Sequence, residues 1–114
     1  MIVISNTSPI LYFSLAGKLL ILKDLYSKIY VPSAVWEEIP SNLKIKTTIK
    51  KTDWLIIQNP IKDEFKELAF SLFSILGRGE SYAIALSLEL KADYLLINDQ
   101  EAKIKAEEMG IKTK

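Results

Sequence analysis

The sequence predicts an α/β fold in which helices cover both faces of a parallel β-sheet. Short, continuously apolar segments alternate along the chain with segments whose apolar residues recur at helical spacing. This alternation is typical of a parallel sheet that is buried on both sides. The chain has 114 residues, of which 49% are hydrophobic and 25% charged, so we expect residues 1–114 to form a single domain around its own core.

The first half of the chain is predicted to alternate three strands with three helices. Pro9 suits the first turn of a helix, and Thr7 or Ser8 precedes it as a candidate cap. Pro32 can open a helix in the same way, and Pro40 stops it. The predicted strands are residues 2–4, 28–31 and 54–57, and the predicted helices are residues 9–16, 19–26 and 32–39.

The second half predicts three more helices and one further strand. Two glycines at 77 and 79 flank Arg78 and predict a break between helices, because glycine is a poor helix former. Gly110 ends the last helix, and the residues after it could begin a final strand. The predicted helices are residues 62–75, 80–90 and 100–109, and the predicted strands are residues 94–97 and, in part, 111–114.

Composition excludes several kinds of chemistry. The chain contains neither cysteine nor histidine, which removes disulfides, thiol catalysis, zinc fingers and histidine acid–base catalysis. The net charge is only +1, so a polyanion would need a local basic patch. Met1 leads directly into a strand, and no apolar run is long enough for a bilayer. We therefore expect a cytoplasmic protein with no membrane partner.

Polar residues follow the predicted strands at the carboxyl end of the sheet, where functional groups of such folds gather. Oxygen ligands that converge there would suit Mg²⁺ or Mn²⁺, and a metal held this way can activate water and stabilise charge on a phosphate. The candidates are Asn6, Glu37, Glu38, Glu80, Asn98 and Asp99.

Each of these residues also has an ordinary structural interpretation. Asn6 could form an Asx-turn, and Glu80 would interact favourably with a helix dipole. Asp99, or Asn98 beside it, could cap the last helix. Glu37 and Glu38 could simply be solvated. Taken one at a time, the structural interpretation is favoured for every one of them, and composition and spacing alone leave a metal site as the minority hypothesis.

Two sets of cations are candidates for phosphate contacts. Arg78 lies between two glycines, which allow close backbone approach to a ligand, and a guanidinium binds phosphate through two hydrogen bonds. An ordinary loop arginine is about as good an explanation. A solvated face is the preferred explanation for the second set, because no aromatic residues alternate with it. That set is Lys44, Lys46, Lys50 and Lys51.

Four segments together resemble the PIN-domain family, in particular a branch of nucleases related to VapC-type toxins. They follow the family's order over nearly the whole chain, and the stretch from LGRGE to LLIND is the most specific of them. The segments are ISNTSPI, VPSAVWEEI, LGRGESYAIALSLELKADYLLIND and QEAKIKAEEMGIK.

The resemblance implies a three-layer α/β/α sandwich and cleavage of RNA that depends on Mg²⁺ or Mn²⁺. It implies catalytic roles for Glu38, Glu80 and Asp99, with Asn6 as a fourth metal ligand. It also implies RNA and an antitoxin protein as partners, and a homodimer is possible. The residues that would support the site or bind substrate are Thr7, Ser8, Arg78 and Asn98.

Two departures from the family pattern bear on activity. Asn6 is neutral where the pattern most often has aspartate, so metal affinity should fall even though an amide oxygen can still bind Mg²⁺. The chain also stops at Lys114, where relatives usually continue, and apolar surface left at the sheet edge could be covered by another subunit.

Three hypotheses therefore stand at this point. The first is a metal-dependent ribonuclease of the VapC toxin type. The second is a PIN-like domain that has weakened or lost catalysis and binds RNA or a protein partner. The third is a small nucleotide-binding module or a structural subunit, which only the fold-level pattern supports because no glycine-rich phosphate loop follows the first strand.

Overall fold

A computed structural model describes residues 1–43, 46 and 53–114 of the chain. Within them, four strands alternate with six helices in the order that the sequence predicts. The strands are β1 (Val3–Ser5), β2 (Ile29–Val31), β3 (Leu55–Ile57) and β4 (Tyr94–Leu96). The helices are α1 (Thr7–Leu15), α2 (Leu19–Tyr26), α3 (Ser33–Glu38), α4 (Asp63–Leu72), α5 (Arg78–Leu90) and α6 (Gln100–Glu108).

The four strands form one parallel sheet in the order β3-β2-β1-β4. Ile4 of β1 is paired with Tyr30 on one side and with Leu95 on the other. The chain therefore moves outward from β1 to β2 and β3, and then crosses to the opposite side of β1 to add β4. The carboxyl ends of β1 and β4 lie at this change of direction, where ligands of open α/β sheets bind.

Apolar side chains pack on both faces of the sheet. Val3 and Leu96 belong to a core cluster that includes residues from α1, α2 and α3. Ile4 and Leu95 belong to a second cluster that includes residues from α4, α5 and α6. Neighbouring strand residues point to opposite faces, so the strands are apolar along almost their whole length, with the buried Ser5 at the end of β1 as an exception. The three-layer α/β/α fold that the sequence predicts is thereby confirmed.

The start of α1 differs from the prediction. Thr7 lies inside the helix, and Asn6 occupies the capping position without a side-chain cap bond. The prediction of Thr7 or Ser8 as the cap was therefore wrong, because the hydroxyl of Thr7 is used elsewhere. Its Oγ1 donates to Glu38 Oε2 at 2.7 Å, a partner that lies 31 residues away.

The predicted break at residues 77–79 was also wrong in its extent. Gly77 is the capping residue, and α5 begins at Arg78. Glu80 therefore lies in the first turn of α5, and Arg78 is a helical residue rather than a loop residue. Only Gly79 lies inside α5, and the side chain of Ser81 donates to Gly77 O at 2.8 Å across the first turn.

The last residues run beside β4. Thr113 forms an isolated parallel bridge with Leu95, and Lys114 N donates to Leu95 O at 3.0 Å. The final strand that the sequence suggests is thus a single bridge. Among the described residues, no helix is long and apolar enough to cross a membrane.

Candidate active site

The segments that carry four candidate residues contact one another at the carboxyl end of the sheet. Asn6 follows β1, and its backbone N–H donates to Leu96 O of β4 at 2.9 Å. The two strands therefore deliver Asn6 and the Asn98–Asp99 pair to the same edge of the sheet. Glu38 comes from the end of α3, and Glu80 comes from the start of α5.

Asn6 presents an unpaired acceptor. Its side chain is only 4% exposed, and Oδ1 is buried and accepts no hydrogen bond from any described residue. A buried acceptor without a partner is unfavourable. The Asx-turn interpretation is therefore not supported, since that turn would use this oxygen.

Glu38 is held between two elements. Its Oε2 accepts from Thr7 Oγ1 at 2.7 Å, and its Oε1 accepts from Gly79 N at 3.1 Å. The first bond ties the carboxylate to the residue after Asn6, and the second ties it to the residue before Glu80. Glu38 thus connects both neighbouring positions of the candidate site.

Gly79 is required by this contact. A Cβ built on Gly79 would lie 3.0 Å from Glu38 Cδ and closer still to Oε1, so any side chain would displace the carboxylate. The sequence indicated that glycines here permit close approach to a ligand. The structure gives a different partner for Gly79, which is the glutamate itself.

The Glu80 side chain is partly buried and has negatively charged side chains near it. Burial raises the pKa of the Glu80 carboxyl above its ordinary value, and the nearby charge of Asp99 raises it further. Smaller contributions in the same direction come from Glu38 and Glu101, while a backbone hydrogen bond at Gly77 opposes them. Each of these neighbouring charges makes ionisation of Glu80 less favourable, and a cation bound near Glu80 would offset that effect.

Asp99 has a structural role that the sequence also suggested. It occupies the N-cap of α6, and its Oδ1 accepts from Ala102 N at 2.9 Å. One oxygen thus fixes the carboxylate on the helix while the other remains available to the site. Capping and metal binding are compatible at this residue, because a carboxylate has more than one acceptor position.

Glu37 and Arg78 form an ion pair beside the site. Arg78 Nη1 lies 2.9 Å from Glu37 Oε2, and the two side chains are 58% and 60% exposed. The hydrogen bond to Glu37 raises the pKa of Arg78. Adjacent residues of α3 therefore contact adjacent residues of α5: Glu37 contacts Arg78, and Glu38 contacts Gly79.

Two predicted supporting residues do not join this network. Ser8 is exposed, and its hydroxyl donates no hydrogen bond within the described chain. Asn98 instead lines a groove of about 290 Å³ with Pro9 and Lys114. Of the lysine set, Lys44, Lys50 and Lys51 lie outside the described residues, whereas Lys46 Nζ lies 4.5 Å from the centroid of the Trp36 ring.

Sequence reasoning missed Glu101 and the role of Thr7 as a Glu38 partner. The position of Glu101 two residues after Asp99 was a usable signal, because both lie at the start of α6. No sequence pattern near Thr7 predicts its contact with Glu38. It depends on how α3 packs beside α1, which spacing along the chain does not encode.

The donor set fits a hard divalent cation, although the carboxylates do not enclose one point. Within residues 1–43, 46 and 53–114, no three His, Cys, Asp or Glu side chains lie together as a group that could hold a metal ion. Mg²⁺ does not need such a cage, because it usually binds one or two carboxylates and keeps several waters. The unpaired Oδ1 of Asn6 supplies a further oxygen ligand of the type that this ion prefers.

Comparison with known proteins decides the family. A family model of the PIN domain matches residues 2–114. This chain belongs to the PIN domain family. PIN domains are in general nucleases that depend on a divalent metal ion, which agrees with the all-oxygen donor set of this PIN domain.

A solved structure supports the fold of this PIN domain. The chain is similar to a PilT N-terminus domain protein from the hyperthermophilic archaeon Sulfolobus solfataricus P2, with a TM-score of 0.65 and 19% sequence identity. The similarity covers 100% of this chain and 86% of the other. A search of curated proteins found no match.

Proposed function

We propose that this PIN domain hydrolyses phosphodiester bonds of RNA with Mg²⁺ or Mn²⁺, as an endoribonuclease of the VapC toxin type. The observation that supports the proposal is that Glu38 is hydrogen-bonded to the residue after Asn6 and to the residue before Glu80, while Glu80 lies near enough to Asp99 for that charge to raise its pKa. These residues would hold the metal, and the bound metal would supply an activated water and charge neutralisation at phosphorus. An RNA substrate fits the cytoplasmic location expected from the sequence.

The protein's own residues would position and protonate the site. Thr7 and the backbone of Gly79 orient Glu38, and Ala102 N orients Asp99. Burial and the nearby charge of Asp99 raise the pKa of Glu80, which makes its carboxyl the best candidate for proton transfer at this site. A carboxyl of that kind can give a proton to a leaving oxygen or take one from an attacking water.

A catalytically weakened PIN domain that binds RNA or a protein partner is the second candidate. The neutral side chain of Asn6 favours it, because each missing negative charge lowers affinity for a divalent cation. Its buried Oδ1 argues for retained ligation, since the amide offers an acceptor with no competing partner.

The deciding experiment measures RNA cleavage with Mn²⁺, with Mg²⁺ and with chelator. The proteins are the wild type, Asn6→Asp, Glu80→Gln and Asp99→Asn. Asparagine is as good an N-cap as aspartate, so Asp99→Asn should stay folded and report on charge alone. We expect the wild type to cut only with metal, Asn6→Asp to cut at lower metal concentration, and the other two variants to lose activity.

Other outcomes lead to different conclusions. Cleavage by Asn6→Asp but not by the wild type would establish the second candidate, with a site that lacks one charge. Unchanged cleavage in Glu80→Gln and Asp99→Asn would refute the assigned residues. Protection against thermal unfolding by nucleotides, without any response to Mn²⁺, would favour a nucleotide-binding module instead.

We also propose that α1 and α2 form a partner surface, for an antitoxin or for a second copy of this chain. Their outward side chains are apolar, and Tyr12, Leu20 and Leu25 are each more than 60% exposed. Exposed apolar surface of this kind usually marks an interface. Sedimentation of the purified chain tests the homodimer, and Leu20→Lys should dissociate any dimer formed through this surface.

A further inference from the structure

A cleft that is lined in part by Arg78 lies near the candidate active site. It has a volume of about 260 Å³ and is lined by side chains from α4 and α5. Lys66 and Phe70 come from α4, and Arg78 and Tyr82 come from α5. In both pairs the cation precedes the aromatic residue by four positions, so each helix places the two side chains on the same face.

The aromatic side of the cleft is a connected set of rings. Phe70 and Phe73 have ring centroids 5.3 Å apart, and Phe73 and Tyr82 have centroids 5.7 Å apart. The Arg78 guanidinium lies 5.7 Å from the centroid of Tyr82. Phe70 nevertheless remains 63% exposed, so its ring offers a free face to a planar ligand.

The opposite wall of the cleft is polar and fixed. Asn59 Oδ1 accepts from Ser33 N at 2.9 Å, and Asn59 Nδ2 donates to Ser33 Oγ at 2.9 Å. An amide nitrogen carries two hydrogens, so Nδ2 has a second donor for an acceptor atom in the cleft. The orientation of Asn59 is held at the start of α3, which reduces the entropy lost on binding.

We infer that this cleft binds one base of single-stranded RNA together with a flanking phosphate. Phe70 provides the stacking surface, Lys66 and Arg78 provide positive charge, and Asn59 provides a donor to the base edge. Single-stranded RNA is recognised by this combination of stacked aromatic rings, cations and hydrogen bonds to base edges. A cleft of this volume is slightly smaller than the roughly 300 Å³ at which pockets for drug-sized ligands begin, which suits a single base.

The place of the cleft identifies which part of the substrate it would hold. Arg78 and Glu80 lie in the first turn of α5, and the end of α3 contacts this turn twice, through Glu37 at Arg78 and through Glu38 at Gly79. A strand bound in the cleft would lead a neighbouring phosphodiester toward Glu80. This inference rests on the proposed function, because it assigns the substrate contacts of that same site.

Glu37 would compete with a phosphate for Arg78. The two groups form an exposed ion pair, and exposed pairs contribute little stability. A phosphate can therefore replace Glu37 as the partner of Arg78 at small cost. Glu37 also neutralises one of the two cations of the cleft, which lowers the affinity of the cleft for a phosphate.

The experiment measures the affinity for RNA in chelator, where cleavage cannot interfere. The probes are a fluorescent single strand of about ten uridines and an abasic strand of equal length. Phe70→Ala should weaken uridine binding about tenfold, which lies in the lower part of the range for stacking of one base on an aromatic residue, and should leave abasic binding unchanged. Phe70→Trp should retain the wild-type affinity.

Lys66→Ala should act differently from Phe70→Ala. It should weaken binding of both strands and reduce the slope of log affinity against log salt by about 0.7, the value for one phosphate of a single strand. Two control variants, Tyr12→Ala and Lys23→Ala, remove an exposed aromatic residue and an exposed cation that do not line the cleft. Both should bind like the wild type.

The outcomes separate this inference from the proposed function. If Phe70→Ala binds both strands like the wild type while the wild type still cuts RNA with Mn²⁺, the cleft inference is refuted and the proposed function stands. If Phe70→Ala loses uridine binding and the wild type never cuts, the cleft stands as an RNA site and the nuclease proposal fails. Equal loss in Tyr12→Ala would also refute the cleft, because the effect would not be local.

Discussion

At the scale of single residues, two side chains of the candidate site lie in environments that are energetically unfavourable for them. Asn6 buries an acceptor that no described residue satisfies, and such an atom costs about 1–3 kcal/mol. Glu80 is partly buried among other carboxylates. Both costs fall when a cation binds, so the same residues that weaken the free protein would favour the metal-bound one.

Gly79→Ala should separate folding from activity. The new Cβ would displace the Glu38 carboxylate, and misplacement by about 1 Å can reduce a catalytic rate about 10²-fold. Stability should change by less than about 1 kcal/mol, because alanine is the better helix former and offsets the lost hydrogen bond. Urea unfolding and metal-dependent RNA cleavage measure the two effects.

The control for this substitution is Gly77→Ala. A Cβ on Gly77 would meet Glu80 Oε1 at 3.6 Å, which is an ordinary contact, so cleavage should stay near the wild-type rate. Equal loss of cleavage in both variants would show that the close approach of Gly79 to Glu38 is not what matters.

Glu80→Gln should change how stability depends on pH in metal-free buffer. Because the pKa of Glu80 is raised in the folded protein, protonation of Glu80 stabilises the fold. This contribution is fully present below pH 4.5, the ordinary pKa of the group, and it is lost as the pH rises through the raised pKa of the folded protein. Glutamine removes the effect. The melting temperature of the variant relative to the wild type should therefore be higher at pH 7 than at pH 4.

Metal provides the check on that interpretation. Mn²⁺ at pH 7 should raise the melting temperature of the wild type more than that of Glu80→Gln, because only the wild type gains an ionised partner for the cation. The exposed substitution Glu67→Gln should follow the wild type in both buffers. If the melting temperature of Glu80→Gln exceeds that of the wild type by the same amount at pH 4 and pH 7, ionisation of Glu80 is not the cause.

At the scale of elements, α4 is capped by a distant residue rather than by its own sequence. No side chain at the N-cap position Lys62 forms a cap bond. Instead, the carboxylate of Glu89 on α5 accepts from Lys62 N at 2.9 Å and from Ile61 N at 3.0 Å. The two helices that line the cleft are therefore joined by hydrogen bonds as well as by packing.

Glu89→Ala should weaken this junction. Loss of a capping acceptor costs about 0.5–2 kcal/mol, and charged acceptors lie toward the upper end of that range. Denaturant unfolding should show a lower midpoint with an unchanged slope. Glu67→Ala, at an exposed position on α4, should stay within about 0.5 kcal/mol of the wild type; an equal loss there would remove the capping explanation.

At the scale of the whole molecule, the sequence was sufficient for the layers and insufficient for the contacts between them. Continuous apolar segments identified the strands, and polar residues after β1 and β4 marked the edge where the site lies. The bonds from Thr7 to Glu38 and from Arg78 to Glu37 span 31 and 41 residues. They depend on how α3 packs against α1 and α5, and no local pattern predicts that packing.

The short helix α3 gives the molecule a built-in optical reporter. It carries Trp36 two residues before Glu38, and this indole is half-buried, whereas Trp54, the second of two tryptophans, is only 3% exposed. Emission from Trp54 should stay constant while emission from Trp36 responds to charge arriving at Glu38. Intrinsic fluorescence of the unlabelled wild type is therefore a direct test of the proposed Mn²⁺ binding.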